Sequence, residues 1–346
     1  MKPTRLLLLM VLLLPAGASR AADPPVLGQG DWRFRLRTDA IGLPAEHHTD
    51  VQDYHGVAVD SKGRVYIGYY SSKVRDHTRT VARFTYHPKA NPPFRFDRFL
   101  GTKEWVAGRI HGLNIVRNDA GEQRLLLVYN KHRVILCDLD GNIENKGFHV
   151  QHKHFGKASD GHRARGTEGV GVLDGYRSNK FVELSLKDGR PTGRITGGRG
   201  KGDGKTSTAH GVGIDPDGRF VVADRGNQRL TWWKKDLSPL MLGDRQKQMS
   251  MKGYQVCNVA FTGKVAVVPS LNARLAIIGP DPGSETGHKI LSSLVIPPDL
   301  VRKGYDGVHD ANFTPDHRFI VVAVWQRKRS VPPRLFALER IQINKP

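Results

Sequence analysis

The chain has 346 residues, with 54 Lys or Arg against 33 Asp or Glu, a formal charge of +21. Two cysteines, Cys137 and Cys257, are too few for a disulfide scaffold, so both are expected to be free thiols in a chain large enough to bury its own core. The charge favours anionic partners, which outside the cytoplasm means acidic polysaccharide, lipid headgroups or carboxylate ligands rather than nucleic acid; the basic runs Arg199 to Lys205 and Gln326 to Arg334 read best as solvated loops.

In chain order, Lys2 and Arg5 precede an apolar run from Leu6 to Leu14 and a small-residue stretch. This pattern predicts a signal peptide over residues 1–22, with cleavage after Ala18 or Ala21, and an exported protein, periplasmic or secreted. The run is too short to span a bilayer, and no other segment is a membrane-spanning candidate. Residues 23–346 are then expected to form one domain.

A recurring unit follows, clearest in HGVGIDPDGRFVVADRGNQRLTWWKKD from His210: a short alternating strand, a Pro-Asp-Gly turn, a β-rich strand, a polar turn and a third strand. Further copies start at His55, His111, Glu168, Cys257 and His309, separated by 42 to 57 residues, the length of one four-stranded propeller blade. No stretch keeps a helical period. The expected fold is all-β, a six-bladed β-propeller in which the six starting residues line a central channel.

Four of those six residues are histidines. His111, His210 and His309 are 99 residues apart in both steps and fall on the second, fourth and sixth blades, about a third of a turn from one another. Three imidazoles converging from alternate blades form a metal site with open positions, the pattern of a catalytic centre rather than a structural one; the competing reading is that they cap inner strands through hydrogen bonds. Imidazole suits zinc, iron or copper alike. His55 shares the register as a second contact around the site, a substrate contact or an extra ligand. Glu168 and Cys257 are expected to face the channel as well.

With these motifs in place, the repeat resembles NHL repeats, and the order of motifs looks like that of peptidyl-α-hydroxyglycine α-amidating lyases, six-bladed propellers that cleave a hydroxyglycine-extended peptide to an amide and glyoxylate. The likeness runs from about His55 to Gln326. It implies zinc on His111, His210 and His309, a catalytic base at Tyr176 in Asp174-Gly175-Tyr176, an arginine partner at Arg225 in the segment from Val222, and calcium at Val57, Leu113 and Asp310. Three positions depart from the family. Its active-site arginine aligns with Tyr70, the nearest basic residues being Arg75 and His77, and Gly307 and Arg177 replace a pocket methionine and a disulfide cysteine.

The residues themselves offer a Lewis acid on neutral imidazoles, a phenol and a guanidinium. The substrate class is then a small molecule or peptide, with an anionic group suited to the basic chain. Two other readings stay open: a non-catalytic NHL-type propeller binding a protein or anionic glycan, and a gluconolactonase-like propeller, whose metal ligands are mainly carboxylates and amides rather than histidines.

Overall fold

A computed structural model describes residues 24–43, 51–71, 80–102, 105, 110–130, 133–144, 155–302, 306–326 and 334–342. The segment expected to be a signal peptide and the basic candidates Arg75 and His77 lie outside the described residues. Six β-sheets stand around a channel, and the only helical turn among the described residues is the 3-10 segment Arg225–Asn227.

The inner strands of the blades are Val51–Val59, Ile110–Arg117, Asp160–His162, Ala209–Ile214, Ala260–Thr262 and Asp306–Phe313. Each is the edge of a sheet that continues outward through antiparallel strands, the one parallel strand pairing among the described residues being that of Ile41–Gly42 on Phe94–Leu100 at the outer edge of blade one. In the fourth blade the order is Ala209–Ile214, Phe220–Asp224, Arg229–Trp233 and Gln248–Ser250. The last blade is completed from the other end of the chain, because Trp32–Arg37 pairs with Leu335–Arg340 and Val26–Gln29 pairs with Trp32–Arg37. This closes the ring and leaves no long open edge.

The turns follow from their residues. Asp215 accepts the amides of Asp217 and Arg219 and an ion pair from Arg219, while Gly218 takes a positive φ of 77° that other residues avoid. Apolar residues on the two faces of each sheet pack against the neighbouring blades, giving one buried cluster at each of six junctions. At the junction of blades four and five, Trp232, Val221, Ala266 and Ile278 are fully buried. Burial of side chains this size contributes roughly 1.5–3 kcal/mol each.

The third blade differs from its expected register. Its inner strand is Asp160–His162, whereas Glu168 precedes the second strand, Gly169–Leu173, and is exposed. Glu168 therefore does not face the channel. The Gly-Val-Gly-Val run after it copies the apolar alternation of an inner strand, and Asp-Gly-His carries too little apolar signal to compete. Ser159, immediately before Asp160, holds the place the repeat assigns to a histidine in the neighbouring blades.

Below this register two carboxylates tie the blades together. Asp160 accepts the Val212 and Gly161 amides at 2.9 Å each and the Asn114 side-chain amide at 2.8 Å. Asp310 does the same with Val57 at 2.7 Å and with Ala311 and Asn258 at 2.8 Å. Gly112 is required beside Asp160, since a Cβ there would meet the carboxylate. Removing an acceptor from buried donors costs about 1–3 kcal/mol per donor. Asp160→Ala should accordingly lose several kcal/mol in urea unfolding, and Asp160→Asn, which keeps one acceptor oxygen, should lose clearly less.

Candidate metal and catalytic site in the channel

The inner strands bring His111, His210 and His309 to one end of the channel, all at most 5% exposed. Their ring centroids form a nearly equilateral triangle with sides of 4.7, 4.8 and 4.9 Å. Each Nδ1 hydrogen-bonds a main-chain carbonyl on the following blade: His111 to Ser159 at 2.6 Å, His210 to Cys257 at 2.7 Å and His309 to His55 at 2.8 Å. A carbonyl only accepts, so each Nδ1 carries the proton, and each neutral ring keeps its lone pair on Nε2.

The same triangle receives the phenol. Gly175 lies so close to the Ala209 carbonyl that any side chain would collide with it, and this contact seats Tyr176 beside the inner strand of the fourth blade. The Tyr176 hydroxyl lies 2.7 Å from His210 Nε2 and 2.9 Å from His111 Nε2. The Asp174 carboxylate fixes the turn by accepting the Lys157 amide at 2.6 Å and the Ser178 hydroxyl at 2.6 Å. Arg225 and Lys157 stand 5.5 and 5.1 Å from the Tyr176 ring centre. Arg225 also lies near the Cys257 thiol and interacts electrostatically with it and with the Tyr176 phenol.

Electrostatics suits a cation on the three imidazoles. Burial pushes His210 well below the ordinary imidazole range, with Arg225, His111 and His309 adding to the effect; burial, His55 and His111 do the same to His309. These rings are neutral at pH 7. The Tyr176 hydroxyl can donate its one proton to only one of these two Nε2 atoms at a time. Buried imidazole nitrogens suit a divalent metal, and the group whose ligand nitrogens lie within 4.8 Å of one another is His55, His111 and His309, with His210 on the Tyr176 side of the same cluster. Burial works against the Arg225 charge, yet Cys257 and Tyr176 outweigh it and hold the guanidinium above its usual value. Burial raises the Cys257 thiol to about 11 despite the pull of Arg225, so it is neutral.

The other expected positions sort clearly. His55 is 3% exposed, with ring centroids 4.4 Å from His309 and 5.3 Å from His111. Val57, Leu113 and Asp310 come together one step down the channel, where Val57 donates to Asp310 and Leu113 packs on Gly56. Tyr70 lies in the strand Val65–Ser71, its main chain paired with Asp53. Gly307 packs against Leu271. Both cysteines are buried and free. Lys157 and Ser159 were missed by the repeat pattern; the carbonyl of Ser159 leaves no trace in sequence, and Lys157 precedes a strand whose register was displaced.

Comparison with known proteins bears on the fold. Residues 206–233 match the NHL repeat. This segment holds His210 and Arg225. The chain is 33% identical over 115 residues to NHL repeat-containing protein 3 of Mus musculus, covering 33% of this chain and 32% of that one. A solved gluconolactonase from Xanthomonas campestris superposes with a TM-score of 0.53 over 92% of this chain and 95% of that one, at 11% identity. That likeness shows the propeller fold.

The buried imidazoles set a pH dependence. A ring that stays neutral when folded but takes a proton near 6.5 when unfolded contributes stability above that pH and loses it as the pH falls. Asp310, raised to about 7 by burial, acts in the opposite direction, binding its proton more tightly folded than unfolded. The difference between variants isolates the histidine: between pH 6.5 and 5, metal-free His210→Gln should lose less stability on acidification than the metal-free parent, measured by thermal unfolding.

Proposed function

We propose that this propeller is an exported, metal-dependent lyase acting on α-hydroxyglycine-type carbinolamides, which it splits into an amide and glyoxylate. The observation that carries the reading is the Tyr176 hydroxyl, 2.7 and 2.9 Å from two imidazoles of the trio and flanked by Arg225 and Lys157.

His111, His210 and His309 would hold a divalent transition metal, zinc in the lyases it resembles, and the metal would lower the pKa of the substrate hydroxyl. Tyr176 takes the proton from that hydroxyl. As the carbonyl of glyoxylate forms, the carbon–nitrogen bond breaks, and the same phenol returns the proton to the departing amide nitrogen. Tyr176 acts in its phenolate form, whose charge Arg225 stabilises before the proton is taken and after it has been returned. With Tyr70 at the place of the family's arginine, exposed Lys157 is the cation best set to meet the substrate carboxylate. Calcium at Asp310 with the carbonyls of Val57 and Leu113 belongs to the same reading, since burial raises Asp310 to about 7 and a cation there relieves the cost of its charge.

One observation favours a second reading, a binding propeller for an anionic glycan. A groove of about 670 Å³ beside Gly226 and Asn227 is lined by Lys201, Arg229 and Lys252 with no carboxylate among its lining residues.

The two readings separate on one variant. Tyr176→Phe should keep the metal content of the parent and lose about 10²–10⁴-fold in turnover of an α-hydroxyglycyl peptide, the range for loss of a general base. Normal turnover by that variant, or none by the parent, removes the lyase reading and leaves the basic groove as the functional surface.

A further inference from the structure

The three sides of the imidazole triangle carry different chemistry. Tyr176 fills the side between His111 and His210. Cys257, whose carbonyl holds His210 and whose sulfur meets Arg225, belongs to the strand start between His210 and His309. His55 fills the remaining side, in ring contact with His309 and His111. The starting residues of the odd-numbered blades are thus His55, Ser159 and Cys257, and each lends its carbonyl to the imidazole of the preceding blade. The Ser159 hydroxyl is spent on the Ala209 carbonyl at 2.7 Å. His55 alone of the three brings a further imidazole.

We propose that His55 is a fourth metal ligand, so that the channel holds its cation on four imidazoles from blades one, two, four and six. This rests on the metal reading of the trio and extends it. Ligand nitrogens of His55, His111 and His309 all lie within 4.8 Å of one another, with all three rings buried. Two nitrogens on one tetrahedral metal at 2.0–2.1 Å stand about 3.4 Å apart, a separation reached by small ring movements from here. The His55 main chain is already fixed by its bond to His309, so its ring needs little ordering to bind. Four nitrogens leave room for substrate only on a metal that accepts five or six ligands, which favours iron, cobalt, nickel or copper, or zinc with an expanded shell.

The decisive measurement uses the intact protein loaded with Cu(II) and counts imidazoles by pulsed electron paramagnetic resonance. Four coupled imidazoles are expected in the parent, and three in His55→Ala and His55→Gln, with Cu(II) and Co(II) bound at least tenfold more weakly. Three imidazoles in the parent, or unchanged affinity and an unchanged Co(II) spectrum in both variants, overturns the fourth ligand while leaving the trio intact. If the parent binds no metal, the trio reading falls with it. The parent count does not depend on whether either variant folds.

Discussion

Each imidazole of the trio donates its Nδ1 proton to a carbonyl on the adjacent blade, and much of the site's chemistry depends on these three bonds. They fix ring orientation, set the tautomer and leave the lone pair of each ring on Nε2. They also make each ring a contact between blades, so the geometry of the site is the geometry of the propeller. A ring held this way loses little freedom on binding a ligand, which is the physical content of a preorganised site.

Much of this was legible in the sequence because a repeat converts linear spacing into angle. The blade count, the free thiols and the meeting of His111, His210 and His309 follow from registers that recur. Tyr176 and Arg225 came only through the family resemblance, on the motifs Asp174-Gly175-Tyr176 and Val222 to Arg225; in the structure the aspartates of those motifs accept loop amides and Gly175 permits a close approach. The third blade was misplaced by one strand because its inner segment is three residues long and polar at both ends, so alternation had nothing to grip. The partners contributed by main chain, the carbonyls of Ser159, Cys257 and His55, are independent of side-chain identity and so are invisible to motif reading.

The waist of the channel repays comparison with the site above it. Asp160 and Asp310 sit in nearly equivalent settings, each accepting two main-chain amides and one asparagine, yet burial holds both above the normal carboxylate range, and the charge of Asp310 adds to the shift at Asp160. Hydrogen bonds satisfy their geometry without fully offsetting the loss of water. The upper layer is neutral imidazole and the lower layer is strained carboxylate, so any cation entering the channel is met by lone pairs at one level and by incipient negative charge at the next.

Because the last blade is completed by the first strands of the chain, the ring is sewn inside blade six, and the two ends of the chain meet again along a seam where blade six packs on blade one. Two bonds cross that seam at the channel: His309 to the carbonyl of His55, and Asp310 to the amide of Val57. Their partners are more than 250 residues apart in sequence, so closing that loop carries an entropic cost of about 5 kcal/mol. The site is therefore assembled only when the circle shuts. A ligand gripping His55, His111 and His309 together acts as a clasp on that closure, and its residence time becomes part of the lifetime of the folded ring.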